Sequence, residues 1–254
     1  MKYTDLDLKK PMESNNYKEE SEFVVSSVKQ ILDEKKVIGD NKIIINTNLK
    51  MRLPLENINK LAAPMIEAWA FEVFSEIRDD FENKYKLMNV EAQERLGMSD
   101  IILQFRKNED VITGNIDVKA TSNNIKNSGK SPNITSFSRI RTAYIQNPDF
   151  IFIILSIKHK VYSERDNITL AMNGIMELTD FKVYDLKYVS EKDISYNPSL
   201  GTGQIQIKDI HYVEYQYRTT WEMCQLLDRK YLNSSRRTIE NFYREAVKNK
   251  WIKE

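Results

Sequence analysis

The chain has 254 residues, 41% hydrophobic and 30% charged, with seven glycines, six prolines and a single cysteine. That composition excludes a disordered or collagen-like chain, and the lone Cys224 excludes an intrachain disulfide. Lys and Arg number 38 against 37 Asp and Glu, so the net charge near +1 excludes a polybasic body that attracts nucleic acid everywhere, though not a basic patch.

The opening stretch, Met1 to Asp7, lacks the apolar core of a signal peptide, and the longest apolar run, Phe150 to Leu155, is too short to cross a bilayer. The expectation is a cytoplasmic protein without membrane association. Between residues 17 and 37 the apolar positions Phe23, Val24, Val28, Ile31 and Leu32 recur at helical spacing. Ile43 to Ile45 reads as a short strand. One long helix is expected from about Asn57 to Phe81, carrying Ile58, Leu61, Met65, Ile66, Trp69, Val73 and Phe74 on a broad apolar face.

From Asp100 the period changes to two. Residues 100–106 and 111–119 read as a hairpin around Lys107 to Asp110, and 121–133 is the most loop-like stretch. A helix follows from about Thr135 to Gln146, stopped by Asn147-Pro148. The unbroken run Phe150 to Ile157 reads as a central strand buried on both faces. A further strand is expected near 181–189, a loop with Asn197-Pro198 and Gly201-Thr-Gly203, and a strand over Gln204 to Lys208. Helices over about 219–232 and 235–250 close the chain. With no repeat or linker, the expectation is one α/β domain over 1–254: a helical part to about 90, a catalytic sheet over about 98–190, and a reading loop, strand and helices over about 195–254.

Strand alternation puts Asp117 and Lys119 on one face, with Ile116, Val118 and Ala120 on the other. Asp-x-Lys alone is weak evidence, because the chain holds nine Asp/Glu-x-Lys matches. Asp100 distinguishes this one. If the hairpin turns symmetrically about Asn108-Glu109, Asp100 faces Asp117 across the ladder, where Cβ atoms lie roughly 4.5–5.5 Å apart. Two like charges so close call for a cation or a proton between them. Oxygen donors without a Cys or His cluster favour Mg²⁺, which suits phosphodiester hydrolysis beside an ammonium such as that of Lys119. A surface ion pair between Asp117 and Lys119 is the plainer alternative. Glu67 and Glu72 are possible supporting carboxylates, or simply the edge of a buried helix face.

No acid lies between Asp117 and Asp149, whereas Lys119, Lys126, Lys130, Arg139 and Arg141 give that segment a charge of +5. Residues 228–254 add +4, leaving about −8 on the remainder, so neutrality is a cancellation. The polar residues Asn123, Asn124, Asn127, Lys130, Asn133, Asn197, Gln204 and Gln206 are of types that contact bases and phosphates, though each alone also suits a solvated loop.

These residues together resemble the type II restriction endonucleases of the PD-(D/E)xK nuclease superfamily. The likeness rests on Ser99-Asp100, Asp117-Val118-Lys119, Ala120-Thr121 and Ser131-Pro132-Asn133-Ile134. It is nearest to the HpaI type, through Asn115 to Thr121, Asn133 to Arg141 and Gly201 to Lys208, and more distant from the HincII type. The resemblance implies an α/β restriction-endonuclease-like core with a central mixed sheet flanked by helices, and a homodimer on duplex DNA. It also implies Mg²⁺-dependent cleavage of GTTAAC at its centre to blunt ends. A cognate DNA methyltransferase acting on the same site is implied too. By this likeness Asp100, Asp117 and Val118 hold the metal and Lys119 is the catalytic lysine. DNA contacts are expected from Lys126, Lys130, Asn133, Arg139, Arg141, Asn197, Gly201, Gly203, Gln204 and Gln206. Ser99 stands where the superfamily's name has proline, a position that holds no metal. The alternatives are a sequence-nonspecific repair or recombination nuclease of the same superfamily and a non-catalytic DNA-binding protein.

Overall fold

A computed structural model describes residues 1–94 and 97–253. The chain divides into two compact units, one formed by Glu22–Gly129 with Ile153–Tyr184, the other by Met1–Ser21, Lys130–Phe152 and Asp185–Glu254. The elements in chain order are α1 (Tyr17–Val37), β1 (Lys42–Ile45), α2 (Leu55–Lys60), α3 (Ala62–Asp79), β2 (Leu87–Ala92), β3 (Ile101–Lys107), β4 (Asp110–Ser122), β5 (Asn133–Ser136), α4 (Phe137–Gln146), β6 (Ile151–Arg165), β7 (Met172–Asp185), β8 (Ile194–Asn197), β9 (Gln204–Ile207), α5 (Thr220–Leu232) and α6 (Ile239–Lys248).

The first unit is built on a six-stranded mixed sheet in the order β1-β7-β6-β4-β3-β2, with helices against it. Strand β6 is interior to it, and residues Ile151 to Ile157 are buried without exception, Ser156 included, as the apolar run Phe150 to Leu155 requires. Helix α1 places Val24, Val28, Ile31 and Leu32 in the core. Val24 approaches β4 so closely that a Cβ on Gly114 would stand 2.7 Å from its Cγ1, which explains a glycine inside a strand.

The long helix expected over 57–81 is two helices. Pro64 is the physical reason: in a continuous helix its ring would strike the carbonyl four residues back. The chain restarts at Ala62, so Pro64 falls in the first turn of α3, where no N–H is needed. Helix α3 then buries Ile66, Trp69, Ala70, Val73 and Phe74 and packs against β2 and β4. It ends at Asp79, leaving Phe81 wholly exposed. Among the described residues no helix is long and apolar enough to cross a membrane.

The second unit holds the antiparallel sheet β5-β9-β8 with α4, α5 and α6. Its core is aromatic: Phe137 stacks on Tyr231 at 4.6 Å between ring centroids and meets Trp251 edge-on at 5.7 Å. Thr219 caps α5 in a reciprocal box with Glu222, and Thr238 caps α6, which starts later than its sequence pattern suggests. Strands β2, β5 and β8 lie where no strand is expected from sequence, and β7 begins at Met172, well before 181.

Candidate active site

Strands β3 and β4 form an antiparallel hairpin paired Ile101 to Ile116 through Lys107 to Asp110. The chain reverses at Asn108 and Glu109, with Asn108 in the left-handed region at φ 57°, one of the few side chains that settle there readily. This is the register symmetric about Asn108-Glu109, and it holds as far as the Ile101–Ile116 pair. Asp100, just before β3, donates its N–H to the Ile116 carbonyl at 2.9 Å, a shift of one from that register that keeps it beside Ile116 and Asp117. Its Oδ2 accepts the Val118 N–H at 2.7 Å, which fixes the carboxylate against β4.

On β4 the alternation holds, with Ile112, Gly114, Ile116 and Val118 buried. Asp117 breaks the polar-out half of the pattern, because it is 4% exposed. Its Oδ1 accepts the Lys119 ammonium at 2.7 Å, while its Oδ2 is buried with no hydrogen-bond partner among the described residues. Burial pushes the Asp117 carboxyl up to about 7, the charges of Asp100 and Glu67 push the same way, and Lys119 opposes them. The Lys119 side chain is about a quarter exposed.

Glu67 comes to this cluster from α3. Burial raises its pKa, as does the charge of Asp100, and Lys119 lowers it. It lines a cleft of about 430 Å³ with Asp100, Ser99, Gly97, Gln93, Ala68 and Phe71. Glu72, five residues on, is exposed and takes no part in the cluster. At 100° per residue it points well away from Glu67.

Could this set hold a metal ion? Among the described residues no group of three or more His, Cys, Asp or Glu is arranged to do so. The fit rests instead on an orphaned oxygen: Asp117 Oδ2 is buried, anionic when ionised, and beside a second carboxylate. Two carboxylate oxygens with the main-chain carbonyl of Val118 would offer a hard, all-oxygen donor set. That is the chemistry a small divalent cation takes.

The expected DNA contacts fall in different settings. Lys126 is exposed in the loop after β4. Lys130 is exposed and paired with Asp209, and Arg139 is exposed on α4. Asn133 and Gln206 are cross-strand partners on β5 and β9, and the Gln206 amide donates to Asn133 Oδ1 at 3.0 Å. Gln204 is half-buried beside the β8–β9 turn, between Asn197 and Ser136 in the ladder. Gly201 and Gly203 form that turn at φ 51° and 89°. At Gly203 a Cβ would lie 2.1 Å from the Tyr196 hydroxyl, so its service is to shape the turn.

Arg141 corrects an expectation. Its side chain is fully buried, held by Asp228 through Nε at 2.6 Å and Nη2 at 3.0 Å, and lies 4.3 Å over the Trp251 ring. A cation enclosed that way cannot meet DNA. Asn123 and Asn124 likewise bind their own loop to the sheet: Asn124 Oδ1 accepts from Val161 N–H, and Asn123 Nδ2 donates to Thr179. Pro64, Phe71 and Gly97 join the cleft wall without any chemical signal that could have announced them.

Among solved structures the chain is similar to the NlaIV restriction endonuclease, at 12% identity over 86% of this chain and 83% of that one, with a TM-score of 0.43, too low to bear on function. Among curated proteins it is 68% identical to "Type II restriction enzyme HpaI" of Haemophilus parainfluenzae, over the full length of both chains. The family model of the type II restriction endonuclease HpaI matches residues 4–250. The chain therefore belongs to the HpaI family of type II restriction endonucleases and is a site-specific deoxyribonuclease.

Proposed function

We propose that this enzyme cuts both strands of the palindrome GTTAAC at its centre, in a Mg²⁺-dependent hydrolysis leaving blunt ends with 5′-phosphate and 3′-hydroxyl groups. The observation that carries the chemistry is the buried Asp117 carboxylate, half satisfied by Lys119 and half unpartnered among the described residues, with Asp100 beside it. Full-length likeness to HpaI supports the recognition site.

Asp100 and Asp117, with the Val118 carbonyl, hold the cation. When bound there, it polarises the phosphoryl group and lowers the pKa of water. The residues of the chain do the rest. Val118 N–H locks Asp100 in place, so one ligand is positioned before substrate arrives. Lys119 is held by Asp117 at 2.7 Å with its side chain about a quarter exposed, and from there it stabilises charge developing on the phosphate or orients the attacking water. Glu67, biased by burial and by Asp100 toward keeping its proton, is the supporting acid lining the cleft with Asp100.

Reading belongs to the other unit, through Asn133, Gln206, Gln204 and the turn from Asn197 to Gly203, with Lys126, Lys130 and Arg139 as phosphate contacts. A palindrome is met by a homodimer, in which each copy serves one strand and one half-site with the same residues. In the cell this activity is paired with a methyltransferase that modifies the same site, and both act in the cytoplasm.

Digestion of plasmid DNA with Mg²⁺, followed by sequencing of the ends, tests activity, site and cut position together. Discrete fragments ending bluntly within GTTAAC are expected, and none with Asp117→Ala. A smear would point to a sequence-nonspecific nuclease, staggered or different ends would reject the site, and no cutting would reject the metal assignment.

A further inference from the structure

The turn between β8 and β9 has an unusual amount of its backbone accounted for by one distant side chain. Arg237, on the segment between α5 and α6, donates through Nε to the Tyr196 hydroxyl at 2.9 Å. Through Nη2 it donates to the Pro198 carbonyl at 2.9 Å and the Gly201 carbonyl at 2.6 Å. The Tyr196 hydroxyl in turn donates to the Thr202 carbonyl at 2.7 Å, and its ring fills the space that a Cβ on Gly203 would need. Gly203 then hands its carbonyl to the Phe137 N–H at 3.0 Å, tying the turn to the start of α4.

Four points of the turn, at Pro198, Gly201, Thr202 and Gly203, thus answer to Arg237 and Tyr196. Two glycines at positive φ would otherwise leave this stretch free to take several shapes. The held shape leaves groups to spare at its two ends. Asn197 Oδ1 accepts from Ser199 N–H at 3.0 Å, while Asn197 Nδ2 and the whole amide of Gln204 have no partner among the described residues.

We infer that Arg237 is a positioning residue for sequence discrimination: its planar fork holds the β8–β9 turn so that Asn197 and Gln204 meet base edges in one geometry. The inference rests on the reading that this turn contacts bases. Only a guanidinium supplies fixed donors to three acceptors in different directions, and a lysine ammonium at the same place is a single point on a flexible stem. Correct pairing at one base pair is worth roughly 10- to 100-fold in discrimination, which survives only if the reading amides are held still.

The test compares wild type with Arg237→Lys, Tyr196→Phe and Gln204→Ala. Each is assayed for kcat/KM on the mapped cleavage site and on sites changed at one base, for melting temperature, and for the salt dependence of DNA binding. Arg237→Lys is expected to lower the discrimination ratio about tenfold or more with the salt slope unchanged. Tyr196→Phe should move the ratio the same way by less, because the bonds to Pro198 and Gly201 remain, and it preserves the test if Arg237→Lys folds poorly. Gln204→Ala should lose discrimination outright.

If Gln204→Ala loses discrimination while Arg237→Lys and Tyr196→Phe keep it, the positioning role falls and the reading turn stands. If Gln204→Ala keeps the wild-type ratio, the reading turn itself is refuted. If Arg237→Lys or Arg237→Gln weakens binding equally on all sequences and flattens the salt slope, Arg237 is a phosphate contact and the inference is overturned.

Discussion

Asp117 beside Lys119 in one unit and Asp228 beside Arg141 in the other are both buried carboxylates next to a cation, and the two pairs are finished to different degrees. Asp228 accepts Arg141 Nε on one oxygen, and Arg141 Nη2 and the Tyr3 hydroxyl on the other, the latter at 2.7 Å. Among the described residues Asp117 accepts only Lys119, on one oxygen, and it is surrounded by the like charges of Asp100 and Glu67. A buried carboxylate with all its donors in place is architecture. One with an open oxygen and acidic neighbours is an electrostatic deficit of the kind a cation relieves, and that deficit is what sets Asp117 apart from Asp228 and makes it the proposed site.

The sharpest way to break this contrast is kinetic. Lys119→Ala or Asp117→Ala should retain DNA binding and lower the single-turnover cleavage rate by about 10³-fold or more. A variant cutting within tenfold of wild type would place both pairs in the structural class. Arg141→Met should do the opposite. It strands a buried Asp228 and is expected to destabilise the fold by about 3–5 kcal/mol in urea unfolding, with the rate per folded molecule unchanged. Adding Asp228→Leu should restore much of the loss.

A third prediction concerns pH. The Asp117 carboxyl is raised from 3.8 to about 7, so the folded protein keeps a proton that the unfolded chain releases. Without metal, this group's contribution to stability therefore falls as pH rises from about 4 to about 7 and is flat above that. Asp117→Asn escapes the loss, so without metal it should be more stable than wild type at pH 8 by roughly 2–4 kcal/mol, with the gain shrinking toward pH 4. Saturating Mg²⁺ should cancel it. Equal pH profiles for the two proteins would deny the deficit. The smallest effect separates the two helix glutamates: Glu67→Gln should slow cleavage about tenfold and Glu72→Gln should leave it unchanged, in the same single-turnover assay.

The hairpin was the most legible part of the molecule because its two determinants, a period of two and a short polar turn, are both local. Given them, counting alone fixed the register from Lys107–Asp110 to Ile101–Ile116, and it misses only the one-residue shift at Asp100. Elements that failed to show were those decided at a distance. Strands β5 and β8 are four residues each in polar text and exist because β9 lies between them. Strand β2 carries a register shift between Leu87 and Asn89 that blurs its alternation. Arg141 looked like its basic neighbours, since its partner Asp228 is 87 positions away. The break before Ala62 was visible in Pro64, but the hydrophobic period on either side outweighed it.

The two-residue reversal at Asn108 and Glu109 has a consequence for how this enzyme tolerates change. Loop tips are ordinarily the safest place for insertions or fused tags. Here the tip works as a counting device, because sixteen residues separate Asp100 from Asp117 and the pairing sums are fixed by where the chain turns back. One extra residue absorbed as a slip would carry Asp117 to the opposite face of the sheet. If the proposed site is right, an alteration at the far end of the hairpin would disarm the nuclease while touching none of its carboxylates, so length at 108–109 is under the same constraint as the site itself.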